Sequence, residues 1–425
     1  MRIPVLSSCL ALAACMTPSV ASEPEIEAQA SRYSADDEAE HLARFQALVE
    51  SFSKGVGLVS YDPTVAVKGA EAPSALPVTT RATIAADALE QARMAAATDN
   101  TTALIVWRKG AIEAEHYFGD TNADMLLNSR SFAKPLTAIA IGRALELGAI
   151  TSLDQRVADF IPEWRGDAQK SRILIRHLLD MRTGFLPQAA AFDPQHILNR
   201  AYLHPRHDEV IINDYPLVSK PGARYDYSNA TSEMIAPVIE AATGRQYEEF
   251  LSTEVLTPIG AKGGELWVNR EGGMAHSGCC ILLPARDWLR LSVLLLNDGV
   301  WQGRQLLPEG YVEAMRTPTA ENPYYGMGVW VAGDFIAERG VANPDRGEYT
   351  TLHSEAYRAA DLFLWDGNGN QVSYIVPSED LVVLRMGKAP PKPTRWDNAR
   401  LPNLILGGII ADLGTSVPQA NLQQD

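Results

Sequence analysis

Ser131-Phe132-Ala133-Lys134-Pro135-Leu136-Thr137-Ala138-Ile139-Ala140-Ile141 is the stretch on which the reading of this chain turns. It opens with S-x-x-K and continues as an apolar segment. Leu136, Ile139, Ile141, Leu145 and Leu147 recur near the helical period, which predicts a helix. Residues three apart share a helix face, so Ser131 and Lys134 stand one above the other. A serine hydroxyl is a poor nucleophile until a base takes its proton. Lysine is a base only when neutral, and burial favours the neutral form. Pro135 is compatible with a first helical turn, where amide donors lack partners anyway. A second copy, Ser51-Phe52-Ser53-Lys54, runs straight into Gly55-Val56-Gly57. No helix follows to hold that pair, and it is read as chance.

Further along, Pro221-Gly222-Ala223-Arg224-Tyr225-Asp226-Tyr227-Ser228-Asn229 forms a turn-rich approach to a second helix. Tyr227 is a phenol that shuttles a proton if nearby cations favour its phenolate. Asn229 is placed to hydrogen-bond Lys134 or a substrate carbonyl. Either motif alone is weak. Together they supply a nucleophile and two candidate bases, the set that acyl transfer through a covalent intermediate requires.

Outward from these motifs, residues 103–107 and 112–118 flank Arg108-Lys109-Gly110 and predict a β-hairpin. Residues 39–52, 86–97, 173–181, 232–243, 286–297 and 401–413 read as helices, and 55–80 as extended or loose chain. Strands are predicted again at 361–365, 371–376 and 381–386, before a Pro-rich crossing at 388–398. With strands early and late and helices between, the expected fold is α+β. One antiparallel sheet joins the N- and C-terminal strands, flanked by helices, with a mainly helical lobe inserted at about 150–315. The expected divisions are a signal peptide at 1–21, an N-terminal extension at 22–98, a catalytic domain at 99–415 and a tail at 416–425.

The 425 residues carry 46% hydrophobic and 21% charged side chains, ordinary for a soluble globular chain, with a net charge of -15. That acidity, without any basic run, argues against nucleic acid as a partner. Arg2 and the short apolar stretch 3–14 read as an export signal, too short to span a bilayer. Two exits are open. Ser19-Val20-Ala21 offers a signal-peptidase site, and Leu12-Ala13-Ala14-Cys15 resembles a lipobox that would lipidate Cys15. The short segment before Cys15 favours simple secretion, hence an exported, periplasmic protein. Cys279 and Cys280 are neighbours, and adjacent cysteines rarely bridge. No metal site is expected: there is no C-x-x-C and no H-E-x-x-H. His204-Pro205-Arg206-His207 is the nearest pair of ligands, and it reads as two loop histidines.

The two motifs resemble those of the serine β-lactamase and penicillin-binding-protein superfamily. The Y-x-N form resembles the class C β-lactamase branch, which includes esterases, D-amino-acid peptidases and 6-aminohexanoate-dimer hydrolases. The likeness extends to Ile173-Leu174-Ile175-Arg176-His177-Leu178-Leu179-Asp180-Met181-Arg182-Thr183-Gly184, to Pro258-Ile259-Gly260-Ala261, to Ala285-Arg286-Asp287 with Leu294-Leu295-Leu296-Asn297-Asp298-Gly299, and to Val376-Pro377-Ser378-Glu379-Asp380-Leu381-Val382-Val383. It implies that Ser131 carries the acyl group while Lys134 and Tyr227 share the proton work. It implies no cofactor.

The third motif departs from the family. Where relatives place Lys-Thr-Gly or His-x-Gly on a strand, this chain has Trp365-Asp366-Gly367-Asn368-Gly369-Asn370-Gln371. The missing cation weakens a β-lactamase or carboxypeptidase reading, and Asp366 there would repel a substrate carboxylate. Gly367 would let the backbone approach the reacting carbonyl. The amides of Ser131 and Asn368 are the expected oxyanion hole. The expectation is a serine hydrolase acting on a small ester or amide. The alternatives are a β-lactamase or D-amino-acid peptidase on cell-wall substrates, and a non-catalytic binding module. Absence of G-x-S-x-G argues against an α/β-hydrolase. Pocket walls are expected from 186–215 and from the stretch near Trp267.

Overall fold

The apolar run at 103–107 lacks alternation because both of its faces are covered. Ala103, Ile105 and Trp107 enter one core, while Leu104 and Val106 enter a second core behind the sheet. The computed structural model describes residues 32–53, 62–343 and 350–410. The targeting segment with Cys15, Lys54 of the second S-x-x-K, and the tail at 416–425 lie outside the described residues.

Six antiparallel strands form the main sheet, in the order Ala111–Tyr117, Thr101–Arg108, Leu381–Gly387, Gln371–Val376, Phe363–Gly367 and Trp330–Val331. Leu381 pairs with Arg108 and Leu384 with Ile105, so strands from the two ends of the chain lie side by side at the centre. This is the α+β arrangement expected of the sequence. Helices Ala86–Thr98 and Arg400–Gly407 cover one face. Helix Ala285–Leu296 and the helix of the S-x-x-K motif, Lys134–Glu146, lie on the other. Every residue from Lys134 to Ala144 is buried. That is why this helix is apolar all round rather than striped.

The middle of the chain is not purely helical. Thr64–Lys68, Gly263–Trp267, Ile281–Leu283 and Leu127–Asn128 form a second, four-stranded antiparallel sheet. Its strands are short and far apart in sequence, so no local hairpin signal announces them. The residue 22–98 segment contributes to both lobes. Thr64–Lys68 is the edge of this sheet, and Ala86–Thr98 packs on the main one.

The helix expected at 232–243 is two helices, Asn229–Glu233 and Ile235–Thr243. Pro237 has no N–H to give the Glu233 carbonyl. The Ser277 hydroxyl instead lies 2.8 Å from the Ser232 carbonyl and 3.2 Å from that of Glu233.

Three further expectations are corrected. Cys279 and Cys280 are bridged, with Cα atoms 3.7 Å apart. Cys280 takes a left-handed conformation (φ 69°), which turns the two side chains toward each other. Of the two histidines read as loop residues, His204 lies between helices and His207 opens the helix His207–Asp214, and both are fully buried. Trp267 is no pocket wall. It is 1% exposed and stacks on His276 at 3.8 Å.

Candidate active site

Ser131 lies in a tight 3₁₀ turn, Arg130–Ala133, that runs directly into the helix Lys134–Glu146. The turn is fixed from two sides. On one, Ser129 exchanges hydrogen bonds with Ile281: its amide donates to the Ile281 carbonyl (3.0 Å) and its hydroxyl accepts from the Ile281 amide (3.1 Å). On the other, the Gln371 side-chain amide donates to the carbonyls of Asn128 and Ser129, each at 2.8 Å. Both lobes therefore hold the turn.

Lys134 Nζ lies 3.0 Å from Ser131 Oγ, 3.0 Å from Asn229 Oδ1 and 3.1 Å from the Gly278 carbonyl. The side chain is 3% exposed. An ammonium has three donors, and three acceptors surround it. A neutral amine has two donors and one lone pair. It would give its hydrogens to Asn229 and Gly278 and accept from the Ser131 hydroxyl. The same heavy-atom positions therefore satisfy the hydrogen bonding of either form, with the shared proton on Ser131 or on Lys134. The Tyr227 ring closes the group, its centroid 4.9 Å from Lys134 Nζ.

Tyr227 is placed by the 173–184 segment. Arg182 pairs with Asp180 at 2.8 Å and Glu321 at 3.0 Å, and also donates to the Gly222 carbonyl. Backbone bonds from Gly222 to Arg182 and from Asp226 to Met181 tie down the loop leading to Tyr227. The Tyr227 amide donates to the Ala342 carbonyl at 2.8 Å. Burial raises the Asp180 carboxyl above its ordinary range, against the pull of Arg182.

The third segment runs beside the serine turn. A Cβ on Gly367 would sit 2.6 Å from the Phe132 amide nitrogen, a separation only glycine permits. The strand therefore presses against the serine turn. Asn368 follows, and its side chain accepts from Arg130 at 3.0 Å. Asp366, however, does not stand as a free charge. Alternation along the strand sends Trp365 and Gly367 toward Phe132 and Asp366 to the opposite face. There it pairs with Arg339 at 3.1 Å. The repulsion expected of it is cancelled by that guanidinium.

Ser131, Lys134, Tyr227, Asn229, Gly367 and Asn368 thus converge at the junction of the lobes. Reading the sequence missed Gly278, Gln371 and Arg385. Arg385 is fully buried and donates to the carbonyls of Gly369, Asn370 and Lys388, bracing the turn after Gly367. Burial lowers its guanidinium to about 10. An arginine inside Leu381-Val382-Val383-Leu384-Arg385-Met386 was the signal for it. Nothing in the local sequence singles out the Gly278 carbonyl.

Residues 86–404 match the Beta-lactamase family. A 6-aminohexanoate-dimer hydrolase from Paenarthrobacter ureafaciens is 22% identical over 335 residues, spanning 75% of this chain and 79% of that protein. Among solved structures, one from Bacillus anthracis, provisionally described as a 6-aminohexanoate-dimer hydrolase, superposes with a TM-score of 0.61 at 18% identity. It covers 78% of this chain and 86% of its own. EstCE1, a hydrolase with promiscuous acyltransferase activity, gives a TM-score of 0.56 at 16% identity, covering 76% of this chain and 98% of its own.

Proposed function

The chain belongs to the Beta-lactamase family, and from that premise we propose that it is a serine hydrolase cleaving a carboxylic ester or small amide through an acyl-enzyme on Ser131. The observation that carries this is Lys134 Nζ at 3.0 Å from Ser131 Oγ with its other two positions filled. Ser131 Oγ attacks the substrate carbonyl as its proton passes to Lys134. The main-chain amides of Ser131 and Asn368 receive the developing oxyanion, a contribution of a few kcal/mol per donor in comparable sites, roughly 3. Tyr227 delivers a proton to the leaving group. Water then attacks the acyl-enzyme, and the proton path runs in reverse. The named activities of the Paenarthrobacter relative and of EstCE1 support amide and ester substrates. The Trp365–Asn368 stretch itself carries no Lys, Arg or His; the cation beside it is Arg130, which donates to Asn368 from the serine turn. We place the protein in an exported compartment. That accords with the Cys279–Cys280 bridge, since disulfides persist in oxidising surroundings.

The test is mass spectrometry of the mature protein after a fluorophosphonate probe, with peptide mapping. The expected adduct falls on the Ser131 peptide and is lost in Ser131→Ala. Ester turnover undiminished in Ser131→Ala would overturn the proposal. Faster turnover of a β-lactam than of any ester or amide would replace the substrate class.

A further inference from the structure

Behind the active site, three side chains from separate elements meet in a fully enclosed cluster. His207 opens the helix His207–Asp214, Glu233 ends the helix Asn229–Glu233, and His276 lies in the chain just before Gly278. Their exposures are 0%, 1% and 0%. His207 Nε2 and His276 Nδ1 each stand 3.6 Å from Glu233 Oε2. The three ligand atoms all lie within 4.8 Å of one another.

The cluster is incomplete as a set of protein groups. Both carboxylate oxygens of Glu233 and all four ring nitrogens of the two histidines are buried without a hydrogen-bond partner. Among the described residues, Glu233 makes ion pairs with these two histidines and with no lysine or arginine. A buried carboxylate without a cation is strongly unfavourable, and unpaired buried nitrogens add to the cost. The two imidazoles stack at 3.9 Å, with Trp267 stacked beyond His276.

We propose that His207, Glu233 and His276 form a structural site for one divalent transition-metal ion, Zn²⁺ by its ligand chemistry. Two imidazoles and a carboxylate are a known set of three protein ligands for zinc, in which a water takes the fourth tetrahedral position. Tetrahedral bonds of ~2.1 Å place ligand atoms ~3.4 Å apart, close to the 3.6 Å separations from Glu233, and the two histidine nitrogens, within 4.8 Å of each other, need only a ring rotation to converge on one ion. Coordination by both imidazoles tilts one of them out of the stack. The ion supplies the positive charge that Glu233 lacks and occupies one nitrogen of each ring.

The site touches no reacting group, but it reaches the elements that hold Lys134. Asn229 and Glu233 share one short helix, and His276 and Gly278 share one short segment. A Cβ on Gly278 would sit 3.1 Å from Glu233 Oε1, so segment and helix are already in contact. A metal bonded to Glu233 and His276 therefore joins the two suppliers of Lys134's acceptors, Asn229 Oδ1 and the Gly278 carbonyl. His207, Glu233 and His276 position rather than catalyse.

The experiment measures metal content of the full mature chain. One portion is purified without chelator. Another is unfolded in urea with chelator and refolded with zinc chloride, with cobalt chloride, or with neither. The expected result is about one ion per chain, the visible absorption of tetrahedral cobalt in the cobalt sample, and a rise in Tm of about 3–8 °C over the metal-free sample. Glu233→Gln and His276→Gln, with near-ultraviolet dichroism retained, are expected to lose the ion. Absence of uptake and of any Tm change in the wild-type chain would overturn the site. Equal uptake by both variants, or only the weak spectrum of six-coordinate cobalt, would do the same. If neither variant folds, the wild-type stoichiometry and spectrum still decide. Fluorophosphonate labelling of Ser131 is read separately, so either proposal fails without the other.

Discussion

Lys134 keeps three hydrogen-bond partners whether or not it carries the serine proton, and this defines what its removal does. Lys134→Met keeps most of the side chain's length but removes the proposed acceptor of the Ser131 proton. The rate of fluorophosphonate labelling at Ser131 is expected to fall by at least about 10²-fold. Asn229 Oδ1 and the Gly278 carbonyl lose their donor, so unfolding free energy also falls by about 1–3 kcal/mol. A second residue-scale effect concerns pH. Burial pushes the Glu240 carboxyl up to about 7; the Tyr247 amide opposes this, while Glu248 and Asp208 add to it. In the unfolded chain the same group titrates near 4.5. The folded state therefore holds a proton that the unfolded state has released between these values. The stability this confers is complete below pH 4.5 and is lost as pH rises through 7. Glu240→Gln cannot ionise and keeps an oxygen for the Tyr247 amide, 3.1 Å away in the native protein. Urea unfolding is expected to show it more stable than wild type at pH 8, by about 1–2 kcal/mol, and equal to it at pH 4.

At the scale of elements, the site depends on two close approaches. The strand Phe363–Gly367 meets the serine turn only because position 367 lacks a Cβ. In Gly367→Ala, strand or turn must retreat, and the labelling rate is expected to drop by about 10-fold or more through misplacement alone. The turn after that strand is braced by Arg385, which reaches carbonyls on both of its sides. Arg385→Met is expected to lower unfolding free energy by about 3 kcal/mol or more, because several buried carbonyls lose their partner together. Chemical denaturation measures it. The break before Ile235 is also an element-scale device. Pro237 ends hydrogen bonding from the following helix, and Ser277 fills the gap. The short helix bearing Asn229 is thereby tied to the segment that supplies the Gly278 carbonyl.

At the scale of the whole molecule, the chain closes on itself twice. Strands from its two ends form the centre of the main sheet. The segment before that sheet is packed across the helical lobe. Helix Ala35–Ser53 pairs Glu38 with Arg200 at 2.7 and 2.9 Å and Asp37 with Arg206 at 3.1 Å. Its Arg44 donates to the Leu203 carbonyl, 3.2 Å away. A chain starting at Asp62 is expected to retain the main sheet but to lower Tm by several degrees. Hydrogen exchange should rise across residues 194–207 and stay unchanged at 381–387. Equal protection in both chains would show that this helix contributes nothing to the lobe.

The sequence by itself determined the α+β class, with one antiparallel sheet joining strands from the two ends of the chain, and the apolar helix behind Ser131; it also brought forward Ser131, Lys134, Tyr227 and Asn229 as candidates, which the fold brings together. These follow from local patterns: apolar runs of fixed period, a spacing of three on one helix face, and turn residues before Asn229. The sequence marked Gly367 for a close approach to the reacting carbonyl; the approach seen in the structure is to the Phe132 amide in the serine turn. Only the tertiary structure decided that Gly278 and Gln371 complete the site, that Asp366 is neutralised by Arg339, that Cys279 and Cys280 are bridged, and that three distant residues enclose one cluster. Each of these depends on chains far apart in sequence meeting at a distance of a few ångströms. Such meetings are set by packing of whole elements, which leaves no period or spacing in the sequence to read.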